Sequence, residues 1–197
     1  MGILKWLGLA VIVLLVAGVG LYGYLGGFAP VKIERGSVAG MEIVYTAYAG
    51  SYSKIAKSWA RFQKEWTAAG LKDCDAVGIY LDPPGTPDAK LRWILGCRID
   101  ALSPEEKGSL RSKMSTASLP ASDALLSVFP YKNDLSYMLG PMKVYPEMMK
   151  RAKADNVTPL LAIELYGPFS AVKDIHFTMP VGTEKSAYQS LFNVFSH

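Results

Sequence analysis

Apolar and polar positions follow three different rhythms along the chain. From Trp6 to Phe28, WLGLAVIVLLVAGVGLYGYLGGF, 23 residues pass without a charge. Residues 38–50, VAGMEIVYTAYAG, are rich in Val, Ile, Tyr and Thr, the composition of a strand. Next, Ile55, Trp59, Phe62 and Trp66 recur at helical spacing, which predicts an amphipathic helix ending at Gly70. DAVGIYL (75–81) and LRWILGCRI (91–99) predict two strands joined across the Pro/Gly turn DPPGTPDAK. The first half therefore reads β-α-β-β.

The order then returns. SPEEKGSLRSKM opens with Ser103 and Glu106 at capping-box spacing and predicts a short helix or helical turn between the halves. SDALLSVFPYK (122–132) predicts a strand. DLSYMLGPMKVYPEMMKRAKADN (134–156) predicts a helix with Pro141 and Pro146 near its early turns. PLLAIELYG (159–167) and AVKDIHFTMPV (171–181) are two more strands, and EKSAYQSLFNVF is a small amphipathic helix. Laid without a gap, VGIYLDPP (77–84) and LAIELYGP (161–168) match Val77 with Leu161, Ile79 with Ile163, Leu81 with Leu165 and Pro84 with Pro168.

The halves are repeats. The organisation expected is a short flank 1–5, an apolar segment 6–28, a linker 29–36, repeat one 37–100, a connector 101–120, repeat two 121–181 and a C-terminal helix 183–195. The fold class is α+β: duplicated β-α-β-β units give two small antiparallel sheets joined about a pseudo-twofold, with helices on one face and a concave groove on the other. Strand side chains alternate between faces, so the apolar odd-numbered positions are expected under the helices. Gly78, Tyr80 and Asp82, and in the second copy Ala162, Glu164 and Tyr166, would then look into the groove. Glu164 is the pseudo-symmetric mate of Tyr80. A carboxylate in the middle of so apolar a strand costs several kcal/mol unless it is paired or protonated, so its position calls for a use.

The apolar run is long enough to cross the roughly 30 Å hydrocarbon layer as a helix, with Trp6 at one end and Tyr22 and Tyr24 at the other, where interfacial aromatics belong. A cleaved signal peptide would carry a shorter apolar stretch and a small-residue cleavage site. The expectation is a single-pass membrane anchor. Lys5 on one side and Lys32 and Arg35 on the other leave its orientation open.

Charge and cysteines narrow the classes further. The 197-residue chain carries a net charge of +4, spread without a basic stripe, so no nucleic-acid partner is expected. Cys74 and Cys97 are too few for a disulfide scaffold or a zinc site. Free, part-buried thiols are the expectation, with a single bridge if the domain faces an oxidising compartment. The histidines are His176, in a strand, and His197 at the end, which argues against Ser-His-Asp catalysis or a His-rich metal site. No metal or other cofactor is expected. SYSK (51–54) has S-x-x-K spacing, but no S-D-N or K-T-G follows. Met138, Met142, Met148 and Met149 read as core filler.

In order along the chain, GSYSKIAKSWARF, GIYLDPPGTPDAKLRWILGCRI, FPYKNDLSYMLGPMKVYPEMMKRAKADN and LAIELYG…HFTMPV resemble the GyrI-like (SOUL/GyrI effector-binding) domain family over most of residues 38–181. With its apolar N-terminal segment, the chain is similar to a membrane-anchored subgroup related to the testis-expressed ER-phagy receptor. The resemblance implies a pocket for a bulky, aromatic or cationic small molecule, with Glu164 at the position of the family's pocket-floor glutamate. Some stand-alone members hydrolyse strained cyclopropanes of DNA-alkylating natural products. No DNA-binding helical module precedes the domain and no acidic aromatic tail follows it, so the regulator role and the autophagy-binding segment are not expected to carry over.

Glu164 is the leading site residue: a cation-binding carboxylate, or a general acid or base if burial raises its pKa. Its plain structural alternative is an ion pair with Lys173 or Arg92. Tyr80 is its partner across the pseudo-twofold. Tyr48, Tyr52, Trp93, Phe129, Tyr131 and Tyr166 are groove walls as a set, although for each alone core packing or sheet propensity serves as well. Three functions follow: a small-molecule binder, a hydrolase using Glu164, and an adaptor that recruits a protein partner through an exposed apolar patch.

Overall fold

The computed structural model describes residues 2–182 and 185–196; His197 and the first two residues of the expected C-terminal helix, 183 and 184, lie outside them. Helix α1, Gly2–Tyr24, is apolar, and over Lys5–Tyr24 it is solvent-exposed with a mean hydropathy of 2.2. At about 1.5 Å per residue it is roughly 34 Å long, enough to span a bilayer. It stops before Phe28, because the chain turns at Gly26 (φ 83°) and Leu25 buries itself against the domain.

The domain runs β1 (Glu34–Val38), β2 (Met41–Ala49), α2 (Ile55–Ala69), β3 (Asp75–Tyr80), β4 (Arg92–Arg98), α3 (Pro104–Arg111), β5 (Ser115–Leu119), β6 (Ser122–Pro130), α4 (Ser136–Ala154), β7 (Ala162–Pro168), β8 (Asp174–Val181) and α5 (Gln189–Asn193). Local chemistry explains most boundaries. Gly70 closes α2 in the left-handed region, with φ 108°. Ser103 and Glu106 form the expected reciprocal capping box of α3.

The sheets of the two repeats join, as expected, into one, in the order β1-β6-β8-β7-β3-β4-β2-β5, and every neighbouring pair is antiparallel. The order is palindromic by repeat. Each repeat also gains a leading strand: β1 crosses to pair with β6 of the second half, and β5 crosses to pair with β2 of the first. β1 spans the end of the expected linker and the first two residues of repeat one, and β5 lies in the expected connector. Their sequences, ERGSV and STASL, have no apolar alternation, and a partner strand makes them extended. The halves meet at β3–β7, where Ile79 faces Ile163, Gly78 faces Glu164 and Tyr80 faces Ala162. That register is what the ungapped repeat alignment requires of a twofold through Ile79 and Ile163.

The faces are inverted relative to expectation. Val77, Ile79, Leu81, Leu161 and Ile163 pack not under α2 and α4 but on the opposite side, beneath Tyr188, Leu191 and Phe192 of the C-terminal segment. The long helices cover the other parity, with Phe62 and Trp66 of α2 and Val144 and Met148 of α4 joined in one core with Trp93, Ala162, Tyr166 and Phe177. Glu164 therefore lies on the helix-bearing face. The physical reason is that both faces are covered: a short terminal helix suffices for the strongly apolar parity, and the long helices bring their own aromatics to the mixed one.

Two further expectations are corrected. Cys74 and Cys97 are joined in a disulfide, with their Cα atoms 5.0 Å apart, because Cys74 enters β3 beside β4. Of the methionines taken as core, only Met148 is buried; Met138, Met142 and Met149 are exposed on α4.

Candidate functional site

Glu164 sits at the centre of β7 with 2 % of its surface exposed. Three phenols surround its carboxylate. Tyr145, from α4, donates to Oε1 at 2.5 Å; Tyr166 donates to Oε2 at 2.5 Å; Tyr80, from β3, donates more weakly to Oε2 at 3.4 Å. The Tyr80 and Tyr166 hydroxyls are 3.3 Å apart. Neither basic residue considered as an ion-pair partner reaches Glu164. Arg92 is held by Asp82, at 2.6 Å from Nη2 to Oδ1, and the hydrogen-bond partners of Glu164 among the described residues are all hydroxyls.

The strand geometry creates this arrangement. Glu164 and Tyr166 share a face of β7. A bulge at Ala76/Val77 leaves Tyr166 as the extra residue between paired positions, a device that redirects side chains. Opposite Glu164 stands Gly78. A Cβ there would lie 3.2 Å from each of the Tyr166 and Tyr80 hydroxyls, so the missing side chain is what admits both phenols over the sheet. Gly78→Ala is expected to displace those hydroxyls from Glu164 and destabilise the domain by about 1–3 kcal/mol, as overpacking does. A urea melt that matches wild type would contradict this.

Burial dominates the electrostatics. Desolvation pushes the Glu164 carboxyl up, against the pull of the Tyr145, Tyr166 and Tyr80 hydroxyls, to about 7. Desolvation, followed by the Glu164 charge, drives Tyr80, Tyr145 and Tyr166 well above the ordinary phenol value. All three therefore remain donors. The cluster is a carboxyl that changes charge near neutral pH inside a cage that keeps its protons.

Aromatic rings extend from this centre in both directions. Tyr52 sits edge-on to Tyr80 (5.4 Å) and to Trp93 (5.3 Å), and Tyr48 stacks on Trp93 at 6.0 Å. On the other side Tyr166 meets Trp59 of α2 at 5.6 Å and Tyr137 of α4 at 5.5 Å, and Tyr137 meets Tyr131 at 5.0 Å. Glu164, Tyr80, Tyr48, Tyr52, Trp93, Tyr131 and Tyr166 are thus one connected set, as the sequence suggested, but between the two helices rather than on a helix-free floor. Phe129 is not part of it; it packs beneath α4 at Gly140, whose Cβ would come within 3.3 Å of its ring. The buried Trp93 Nε1 has no hydrogen-bond partner among the described residues, which leaves a donor available inside the set.

Tyr145, Tyr137 and Trp59 were missed by sequence reasoning. Trp59 was counted as helix core, and two tyrosines on a helix carry no signature of their own. The available clue was that Tyr145 lies one helical turn, three residues, before the buried Met148. Surface depressions of about 510 and 490 Å³ lie elsewhere, against Tyr45 and Lys113 and against Asp82 and Phe195. At Glu164 the rings are closed over the carboxylate.

No protein-family model matches the sequence, and no curated protein matches it either. Solved structures do. The EcmrR C-terminal domain is 12% identical, with a TM-score of 0.56 over 78% of this chain and 99% of that one. SAV2435 bound to tetraphenylphosphonium is 15% identical, with a TM-score of 0.53 over 76% of this chain and 93% of that one. A putative bacterial transcription regulation protein from Staphylococcus aureus MU50 is 15% identical, with a TM-score of 0.53 over 78% and 100%. At such identities the likeness speaks for architecture, and in architecture this domain shares the GyrI-like fold of these proteins.

Proposed function

We propose that the chain is a membrane-anchored receptor for a bulky aromatic cation, held between α2 and α4 with its charge against Glu164. The observation that carries the reading is a buried carboxylate ringed by aromatics and matched by no protein cation among its hydrogen-bond partners. Buried carboxylates of structural use are paired; this one is paired only with phenols, which leaves its charge for a ligand to neutralise. The surrounding rings add cation–π attraction of about 0.5–2 kcal/mol each. That SAV2435 binds tetraphenylphosphonium on the same fold supports the choice of ligand class. Because the rings are closed over Glu164, binding requires the part-buried Tyr52 or Trp59, or the exposed Tyr137, side chains to part.

The test is a thermal-shift screen of the full chain against tetraphenylphosphonium and other aromatic cations, with mass spectrometry of each incubated ligand. Stabilisation with the ligand recovered intact supports the receptor. A carboxyl titrating near 7 also suits general acid–base work; a ligand recovered with added water would make the protein a hydrolase instead. No stabilisation by any aromatic cation would contradict both.

The anchor reading rests on the exposed apolar helix α1, the arrangement of the membrane-anchored subgroup noted above. The disulfide adds a direction, since such bonds persist in oxidising compartments. The domain is accordingly assigned to the oxidising side of its membrane. Denatured, alkylated membranes are expected to show Cys74 and Cys97 modified only after reduction; modification without reductant would place the domain on the reducing side.

A further inference from the structure

We propose that one face of α4 rests on the bilayer, so that the mouth of the Glu164 site lies at the membrane surface. Leu135, just before the helix, and Met138, Met142 and Met149 follow one another at helical spacing. They are 43%, 60%, 66% and 37% exposed. With the exposed Pro146 in the turn between Met142 and Met149, these residues form an apolar stripe on the outside of the domain. The pseudo-symmetric helix α2 provides an internal control. Its exposed positions are Ala56, Lys57, Ala60, Arg61, Gln63, Lys64, Thr67 and Ala68, without one large apolar side chain. The stripe is therefore not a demand of the fold but a property of α4.

What distinguishes α4 is its connection to the anchor. Lys143 donates from Nζ to three backbone carbonyls of the turn that follows α1: Gly26 at 3.0 Å, Gly27 at 2.5 Å and Ala29 at 2.6 Å. Leu25 of that turn is buried, and a Cβ on Gly26 would lie 3.4 Å from Pro130, so the exit of the anchor is seated on the domain rather than tethered to it. At about 1.5 Å of rise per residue, every member of the stripe lies within roughly 12 Å, along the helix, of the point where the chain leaves the membrane. Phe28, 68% exposed, extends the apolar surface across that junction. Of the basic residues of α4, Lys143 is engaged with the turn, Lys150 pairs with Glu147 and Arg151 with Asp155, and Lys153 is exposed near the helix end, where it can meet anionic lipid. Tyr137, next to Met138, stands against Tyr166 in the site, so a lipophilic cation dissolved in the bilayer would meet the aromatic set without crossing bulk water.

The inference rests on α1 being a membrane anchor, and the experiment separates the two. The full chain is reconstituted in three-to-one phosphatidylcholine–phosphatidylglycerol vesicles with bimane on Met138→Cys, Met142→Cys or, as control, Ala60→Cys of α2. Flotation with carbonate-washed vesicles reads the anchor; quenching by lipids bearing a nitroxide near the headgroup reads the stripe. The expected result is flotation of all three, with strong quenching at 138 and 142 and little at 60. Flotation with quenching as weak at 138 and 142 as at 60 overturns the stripe while the anchor stands. Efficient cross-linking of Met142→Cys between two chains without quenching overturns it in favour of a second copy. Failure to float overturns the anchor and the stripe together.

Discussion

Glu164→Gln is expected to weaken binding of tetraphenylphosphonium by roughly 10- to 100-fold, about 1.4–3 kcal/mol, while leaving the fold intact. Glutamine keeps the size of the side chain and an acceptor for the phenols, but it removes the charge. The amide oxygen accepts from the phenols on one side, Tyr145 or the Tyr166 and Tyr80 pair, and the amide NH2 donates to the phenol oxygens on the other, so each hydroxyl keeps a partner. The aromatic rings survive as well, and their cation–π share of the affinity with them. A loss confined to the charge is therefore distinguishable from collapse of the site. Isothermal titration with the full chain in micelles, corrected with empty micelles, measures it. Equal affinities for wild type and Glu164→Gln would mean that the ligand is held by apolar contact alone.

The second large effect is on stability against pH. The folded-state pKa of Glu164 is raised, to about 7 from an ordinary value of 4.5, by burial. The native state therefore holds a proton that the unfolded chain has released between those values, and stability falls as pH rises through that window. The contribution is complete below about 4.5, is lost through about 7, and amounts to something on the order of 3 kcal/mol. Glu42 and Asp73 have lowered pKa values, from Arg111 hydrogen bonding at Glu42 and from hydrogen bonds of Ser170 and Cys74 at Asp73, in each case against desolvation. Their stabilisation is lost only as pH falls below the ordinary carboxylate range, outside the Glu164 window. The ligand-free protein should melt several degrees lower at pH 8 than at pH 5. Glu164→Gln should flatten that slope and be the more stable protein at pH 8. A wild-type slope that the substitution leaves unchanged would place the titration elsewhere. Cation affinity runs the opposite way, rising with pH as the carboxylate forms.

The same residue shows where the sequence was informative and where it was not. That Glu164 and Tyr80 are equivalent was legible, because strands alternate with a period of two and the two copies keep their apolar parity from Val77 and Leu161 onward. Which parity lies under the helices was not legible. Periodicity defines two faces without saying what covers each, and the small C-terminal segment carrying Tyr188, Leu191 and Phe192 claimed the more apolar one. The strands ERGSV and STASL were invisible for a related reason: their conformation comes from β6 and β2, residues far away in the chain. Tyr145 was lost within a helix that reads as generic, and the bridging of Cys74 to Cys97 depended on a pairing that two cysteines alone do not announce. Of the aromatics named from the sequence all but Phe129 lie in the connected set, whereas Trp59, Tyr137 and Tyr145 were missed because aromatics on an amphipathic helix blend into a core.

The most direct test is a pH titration of the Glu164 side-chain carboxyl by ¹³C NMR in the full chain, assigned by its absence in Glu164→Gln. It is run alone, with tetraphenylphosphonium, and with its isosteric anion tetraphenylborate. The account predicts a pKa near 7 without ligand, a marked fall with the cation and no fall with the anion. An ordinary carboxylate pKa, or one that the cation does not lower, would contradict it.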